Sequence, residues 1–306
     1  MTLIGAIITQ DFVAQVSDRR LTKAGKLFDE RANKSVVLCS HMAFGYSGLA
    51  QLGQERVDDW LVRVLLETRM GPISEIFLHI ISQANQAVSS LHLQSSKKHL
   101  AIIVTGWVQA SKGGSCVPFI ANISNGLNDK WEWTKNARDE FTYQLLKLDD
   151  FDKDEVVYWL GQSVPINVEN DTKRVIRKRR DKGAGPRLAV QVLVDAIRKV
   201  AVNNEMVGSD LMAVAIPLKA VGSNFIAVSL RDVFPEDQVA CQYFFSGRDE
   251  GIRYQPHYIG CYKDSFFSIT HGRVTTGASA RKLVKVAELD RQQKKSKESQ
   301  DEKDEK

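Results

Sequence analysis

Apolar positions in the first fifty residues come in short β-branched runs separated by polar pairs. Residues 2–9 carry Leu3, Ile4, Ala6, Ile7 and Ile8, Gln10-Asp11 interrupts them, and residues 12–16 are apolar again. Runs of this length and composition predict the two strands of a hairpin. Residues 34–39 and 42–46 repeat the pattern around Ser40-His41, which predicts a second hairpin with Lys34 at the mouth of its first strand. The period then lengthens. Residues 51–68 place Leu52, Val57, Trp60, Leu61, Val64 and Leu65 at helical spacing, and residues 73–93 do the same with Ile76, Phe77, Ile80, Ile81, Ala84, Ala87 and Val88. Strands are predicted at 100–108 and 117–123, joined by a Lys112-Gly113-Gly114 turn, and at 156–160. Pro186 opens a helix over 186–202, which runs through AVNNEMVGSDLMAVAI into another strand. Helices packed on a sheet that the N-terminal strands also join make an α+β fold.

Strand ends are where side chains from different segments converge, and three reactive groups stand there. Thr2 follows Met1, Asp18 closes the second strand, and Lys34 opens the third. A threonine hydroxyl is a weak nucleophile until a base takes its proton, and the free α-amine of the same residue, with an unperturbed pKa of about 8, can be that base. An ammonium such as Lys34 lowers the amine's pKa by like-charge repulsion, and an aspartate such as Asp18 holds the lysine in place and keeps it charged. A backbone N–H at Gly48 can stabilise the oxyanion as an acyl carbon becomes tetrahedral. This chemistry needs no histidine, metal or organic cofactor, but it does need Met1 removed.

The stretch TLIGAIITQDFVAQVSDRRLT, Lys34 within RANKSVVLC, and the run AFGYSGLAQL together resemble the β-type subunits of the proteasome and their bacterial relatives, among the N-terminal nucleophile hydrolases. The likeness is ungapped over residues 2–50. It implies a four-layer α/β/β/α sandwich and a threonine-type peptidase that cleaves amide bonds through an acyl-enzyme on Thr2. Asp18, Lys34 and Gly48 fall at the family's aspartate, lysine and oxyanion glycine. Arg20 matches an arginine that supports the site, and Thr22 a threonine whose backbone pairs with an extended peptide. Ala32, Val36, Tyr46 and Ala50 would line the primary specificity pocket, favouring a hydrophobic or small residue before the scissile bond. The resemblance also implies a peptide or protein substrate, a homo-oligomeric ring or stacked rings, and an ATPase unfoldase as a candidate partner.

Farther along the chain departs from the family pattern. Gly161-Gln162-Ser163 stands where the family has a Gly-Ser-Gly turn whose serine completes the proton relay. Gln162 takes the serine's place in the simplest register, and Ser163 takes it after a one-residue shift. Asn204 and Val207 stand where a second aspartate and serine are expected, so the relay is altered or relaxed. A catalytically silent scaffold or binding subunit is therefore the main rival reading. A threonine acyltransferase or ligase is the third, since an acyl-enzyme kept from water accepts an amine.

Composition narrows the organisation. A chain of 306 residues that is 43% hydrophobic can bury a large core. The expected division is a hydrolase-like domain over 1–230, a β-rich extension over 231–275 and a charged, disordered tail over 276–306, which has no apolar residue after Arg291. The extension carries apolar runs at 239–245 and 258–269 around Gly247-Arg248-Asp249, suited to extending a sheet, covering a subunit contact or forming a lid. No apolar run approaches the roughly 20 residues that span a bilayer, and no basic leader precedes the first one, so the expectation is a cytoplasmic protein without membrane contact. Cys39, Cys116, Cys241 and Cys261 lack metal-ligand spacing, as do the six histidines. Lys173, Arg174, Arg177, Lys178, Arg179, Arg180 and Lys182 crowd one stretch, but no aromatics interleave them and the net charge is only +5. That favours a solvated face over nucleic-acid binding.

Overall fold

The computed structural model describes residues 2–23, 26–30, 32–68, 71–109, 115–151, 154–180 and 185–221, and beyond them the strands at 226–228, 240–245, 257–262, 265–270 and 273–276. The turns expected at 112–114 and 247–249, Lys182, and the tail from 277 onward lie outside the described residues.

The chain opens with strands β1 (Leu3–Thr9), β2 (Phe12–Asp18), β3 (Leu21–Lys23), β4 (Lys26–Asp29), β5 (Ser35–Leu38) and β6 (Met42–Gly48). A small hairpin of β7 (Gln51–Leu52) and β8 (Glu55–Arg56) leads into helices α1 (Val57–Glu67) and α2 (Ile73–Ser89). Strands β9 (Leu100–Gln109), β10 (Cys116–Ser124), β11 (Thr142–Lys147) and β12 (Glu155–Gly161) follow, then helices α3 (Ile166–Arg180) and α4 (Pro186–Val202). The last strands are β13 (Leu211–Pro217), β14 (Ile226–Val228), β15 (Ala240–Phe245), β16 (His257–Tyr262), β17 (Ser265–Thr270) and β18 (Arg273–Thr276). Two large sheets result, ordered β12-β1-β2-β13-β15-β14 and β11-β10-β9-β6-β5-β16-β17-β18. Neighbouring strands are antiparallel except for β14 with β15 and β5 with β16.

Three apolar clusters organise these parts. Ile4, Ala6, Ile8, Val13 and Val214 of the first sheet meet Val37, Ala43, Ala101, Ile103 and Ile120 of the second. The opposite face of the first sheet, with Leu3, Ile7, Ala14, Val16 and Ala213, packs on Val190, Leu193, Val194 and Ile197 of α4 and Ile176 of α3. The opposite face of the second, with Val36, Phe44, Tyr46, Ile102 and Val104, packs on Trp60, Leu61 and Val64 of α1 and Phe77, Ile80 and Ala84 of α2. Every residue of β1 and β2 is buried, which is why apolar residues occupy both faces of these strands instead of alternating. Gln15 bridges the two sheets: its amide nitrogen donates to the carbonyls of Ala43 at 3.0 Å and Ile103 at 3.2 Å. Such a bond fixes the register of two layers that apolar contact alone would let slide.

Four elements differ from the sequence reading. The helix expected over 51–68 starts only at Val57, because Gly53 takes φ +66 and closes the β7–β8 hairpin first. The helix expected over 73–93 ends at Ser89. Strand β11 and helix α3 carried no apolar stripe strong enough to be read. The basic stretch lies on α3, where Arg174 pairs with Asp171 at 2.9 Å, Arg177 with Glu155 at 2.9 Å, and Lys173 with Glu169. In the segment read as a β-rich extension, β15 pairs with β13 and β16 runs parallel to β5, so its strands extend both sheets, one of the three roles that the sequence left open.

Candidate active site

Thr2 immediately precedes β1, and the antiparallel pairing of Ile4 with Ser17 brings the end of β2, Asp18, beside it. Lys34 immediately precedes β5 in the other sheet. The two segments meet. The Lys34 Nζ donates to Thr2 Oγ1 at 2.7 Å and to Asp18 Oδ1 at 3.2 Å, and it also donates to the Arg20 carbonyl. Both charged side chains have 0% exposure, and Thr2 has 4%. Asp18 gains two backbone donors, Leu3 N–H at 2.9 Å and Gly208 N–H at 3.1 Å. An ion pair taken this far from water persists only when further hydrogen bonds satisfy it, as these do.

The carbonyl of Thr2 is held as firmly as its hydroxyl. It accepts the Gln162 N–H at 3.0 Å and the Ser47 hydroxyl at 3.3 Å. Gln162 is delivered by Gly161, which ends β12 at φ +105; a Cβ there would lie 1.7 Å from the Thr2 carbonyl oxygen. Gly161→Ala is therefore expected to push Thr2 out of place and to cost about 1–3 kcal/mol from backbone conformation alone. A melting curve on the variant checks this, and an unchanged midpoint would refute it. Gly48 ends β6 at φ +106, where a Cβ would lie 2.2 Å from the His99 carbonyl. It directly follows Ser47, which touches Thr2.

Gly161 also decides the relay register. Gln162, not Ser163, stands against Thr2; Ser163 is exposed and makes no hydrogen bond to Thr2 among the described residues. Asn204 does not turn toward Thr2 either. Its amide nitrogen donates to Gln162 Oε1 at 3.2 Å, and its Oδ1 accepts the Met206 N–H at 3.0 Å. The Val207 side chain is buried in the cluster under α4. Arg20 lies alongside, donating to the Glu205 carbonyl and to Glu30 at 3.3 Å.

The residues expected to line a specificity pocket fall together. Ala32, Val36 and Tyr46 are buried in the cluster between the second sheet and α1 and α2, and Ala50 packs against it. The Tyr46 hydroxyl has no hydrogen-bond partner among the described residues, and burial, reinforced by Asp58, pushes its ionisation well above the ordinary tyrosine range. Thr22 lies in β3, where the pairing with β4 shifts register between Leu21 and Thr22. Ser47 and Gly208 were not read from the sequence. Their only signals were the small residues on either side, in GYSG and VGSD.

Burial pushes the Lys34 ammonium below the ordinary lysine range, and Asp18, the next largest influence, only partly offsets it. Asp18 opposes the effect of burial on Lys34 without cancelling it. The folded chain thus holds this proton less tightly than the unfolded one. Between the lowered value and the ordinary 10.5, the unfolded state binds more protons, so stability rises with pH across that window. Urea unfolding at a series of pH values below 10.5 should show the wild type gaining stability relative to Lys34→Met as the pH rises. A constant difference would contradict the assignment.

The chain has a proteasome-β-like fold. Among solved structures it is similar to Anbu (ancestral beta-subunit) from Yersinia bercovieri, with a TM-score of 0.50 and 14% sequence identity, over 80% of this chain and 87% of that one. No family model and no curated protein matches the chain. Among the described residues, no helix is long and apolar enough to cross a membrane.

Proposed function

We propose that the protein is a threonine-type N-terminal nucleophile hydrolase, built as a four-layer α/β/β/α sandwich, that cleaves amide bonds through an acyl-enzyme on Thr2. The observation that carries this reading is the 2.7 Å bond from Lys34 to the Thr2 hydroxyl inside a fully buried pair with Asp18. A hydroxyl held this way is aligned for proton loss. The Thr2 oxygen attacks the substrate carbonyl carbon, and its proton passes to the freed α-amine or to Lys34, whose lowered affinity for its own proton suits it to exchange. The Gly48 N–H stabilises the resulting oxyanion. The base returns the proton to the leaving amine, the C–N bond breaks, and water then hydrolyses the ester.

The extended substrate would run along Thr22 of β3, with the residue before the scissile bond directed to Ala32, Val36, Tyr46 and Ala50. A ring of like subunits is the assembly that suits such a fold. A silent scaffold is the second reading, favoured by Val207 in the core and by Asn204 bonded to Gln162. Neither amide titrates in the working range, so turnover is expected to be slow. Intact mass before and after exposure to a peptide epoxyketone, a reagent that needs both a free N-terminal amine and its adjacent hydroxyl, separates the two readings. One adduct on a chain that begins at Thr2 supports the hydrolase. A free Thr2 that stays unmodified supports the scaffold.

A further inference from the structure

We infer that the Gln162–Asn204 amide pair is a positioning device that closes a hydrogen-bonded circuit around Thr2, holding its carbonyl and its hydroxyl from two sides through one turn. The circuit can be followed bond by bond. Gln162 N–H donates to the Thr2 carbonyl, and Gln162 Oε1 accepts the Asn204 amide at 3.2 Å. Asn204 organises its own turn, with Oδ1 accepting Met206 N–H and its carbonyl accepting Val207 N–H, each at 3.0 Å. The next residue, Gly208, donates to Asp18 Oδ2 at 3.1 Å. Asp18 Oδ1 receives Lys34, which returns to Thr2 Oγ1. Arg20 clamps the same turn through the Glu205 carbonyl and accepts Lys34 on its own carbonyl.

Turn 204–208 is thus a hub bonded to the residues on either side of the nucleophile. The amide pair is the link that a serine and an aspartate could not make in this form, because Gln162 reaches across the gap with two extra carbons. Both members are neutral over the working range, so the link does not loosen with pH. Its catalytic role rests on Thr2 being the nucleophile; its positioning role rests on the hydrogen bonds alone.

The test uses Gln162→Leu, Asn204→Leu, the double variant and Gln162→Glu, with two readouts. The first is the kinetics of modification by a peptide epoxyketone. Each leucine variant should lower the rate constant about tenfold at unchanged reagent affinity, as expected for a misaligned nucleophile. The double variant should be no slower than the worse single, because one link is broken either way. Gln162→Glu keeps an acceptor for Asn204 but adds a negative charge near the α-amine, so the acid limb of its rate profile should move to higher pH. The second readout is amide hydrogen exchange at Leu3 and Gly208, which should quicken in both leucine variants. Additive losses, or exchange at Leu3 and Gly208 equal to wild type, would overturn the circuit. A wild type that does not react overturns the proposed hydrolase instead, and the exchange readout then decides the circuit by itself. If the leucine variants do not fold, Gln162→Glu, which keeps the acceptor, should exchange at Leu3 and Gly208 as the wild type does, and quickened exchange there overturns the circuit.

Discussion

Thr2→Ala is expected to abolish modification by a peptide epoxyketone while leaving the fold intact. The substitution removes one hydroxyl, which receives its bond from Lys34; the lysine keeps Asp18 and the Arg20 carbonyl. The Thr2 carbonyl, held by Gln162 and Ser47, is untouched. Loss of one hydrogen bond from a charged donor costs about 1.5–3 kcal/mol, a lowered melting temperature without loss of the fold. Loss of a nucleophile costs catalysis a factor of about 10⁴ or more. Intact mass and a melting curve on the same sample separate the two effects. An adduct on the alanine variant would mean that another group is the nucleophile.

Lys34→Met should be the most destabilising single change at the site. It leaves the Asp18 carboxylate at 0% exposure with, among the described residues, the Leu3 and Gly208 N–H groups as its remaining donors. Breaking a buried pair by removing one partner costs about 3–5 kcal/mol, since the remaining charge is stranded. Adding Asp18→Asn removes that charge and keeps one side-chain oxygen, enough for one of the two backbone donors, so the double variant should recover part of the loss. Chemical unfolding of the four proteins reads this directly. A single-variant loss below about 1 kcal/mol would place the pair among the weakly coupled surface type instead.

The parts of the fold that could be read in advance are those whose local chemistry and tertiary role agree. β1 and β2 are buried on both faces and so carry apolar residues on both, and α4 begins at Pro186 as its sequence predicts. α3 was not readable because its exposed turns are charged and only a few side chains, Ile176 among them, reach the core. The β7–β8 hairpin hid inside a helical spacing because Leu52 and Val57 both point inward for unrelated reasons.

The site divides in the same way. Thr2, Asp18 and Lys34 were legible because each sits at the end of a strand that could be read. The choice between Gln162 and Ser163 was not, since a slip of one residue leaves composition unchanged and only the positive φ of Gly161 settles it. The partnership of Asn204 with Gln162, 42 residues away, leaves no local trace at all.

The burial of Thr2 sets an order of events during synthesis. β2 is made directly after β1, but β12 and the turn at 204–208 leave the ribosome much later, and until then the N-terminal segment lacks the neighbours that enclose it. Thr2 is therefore open to its surroundings during that interval and enclosed, at 4% exposure, once the later segments have folded over it.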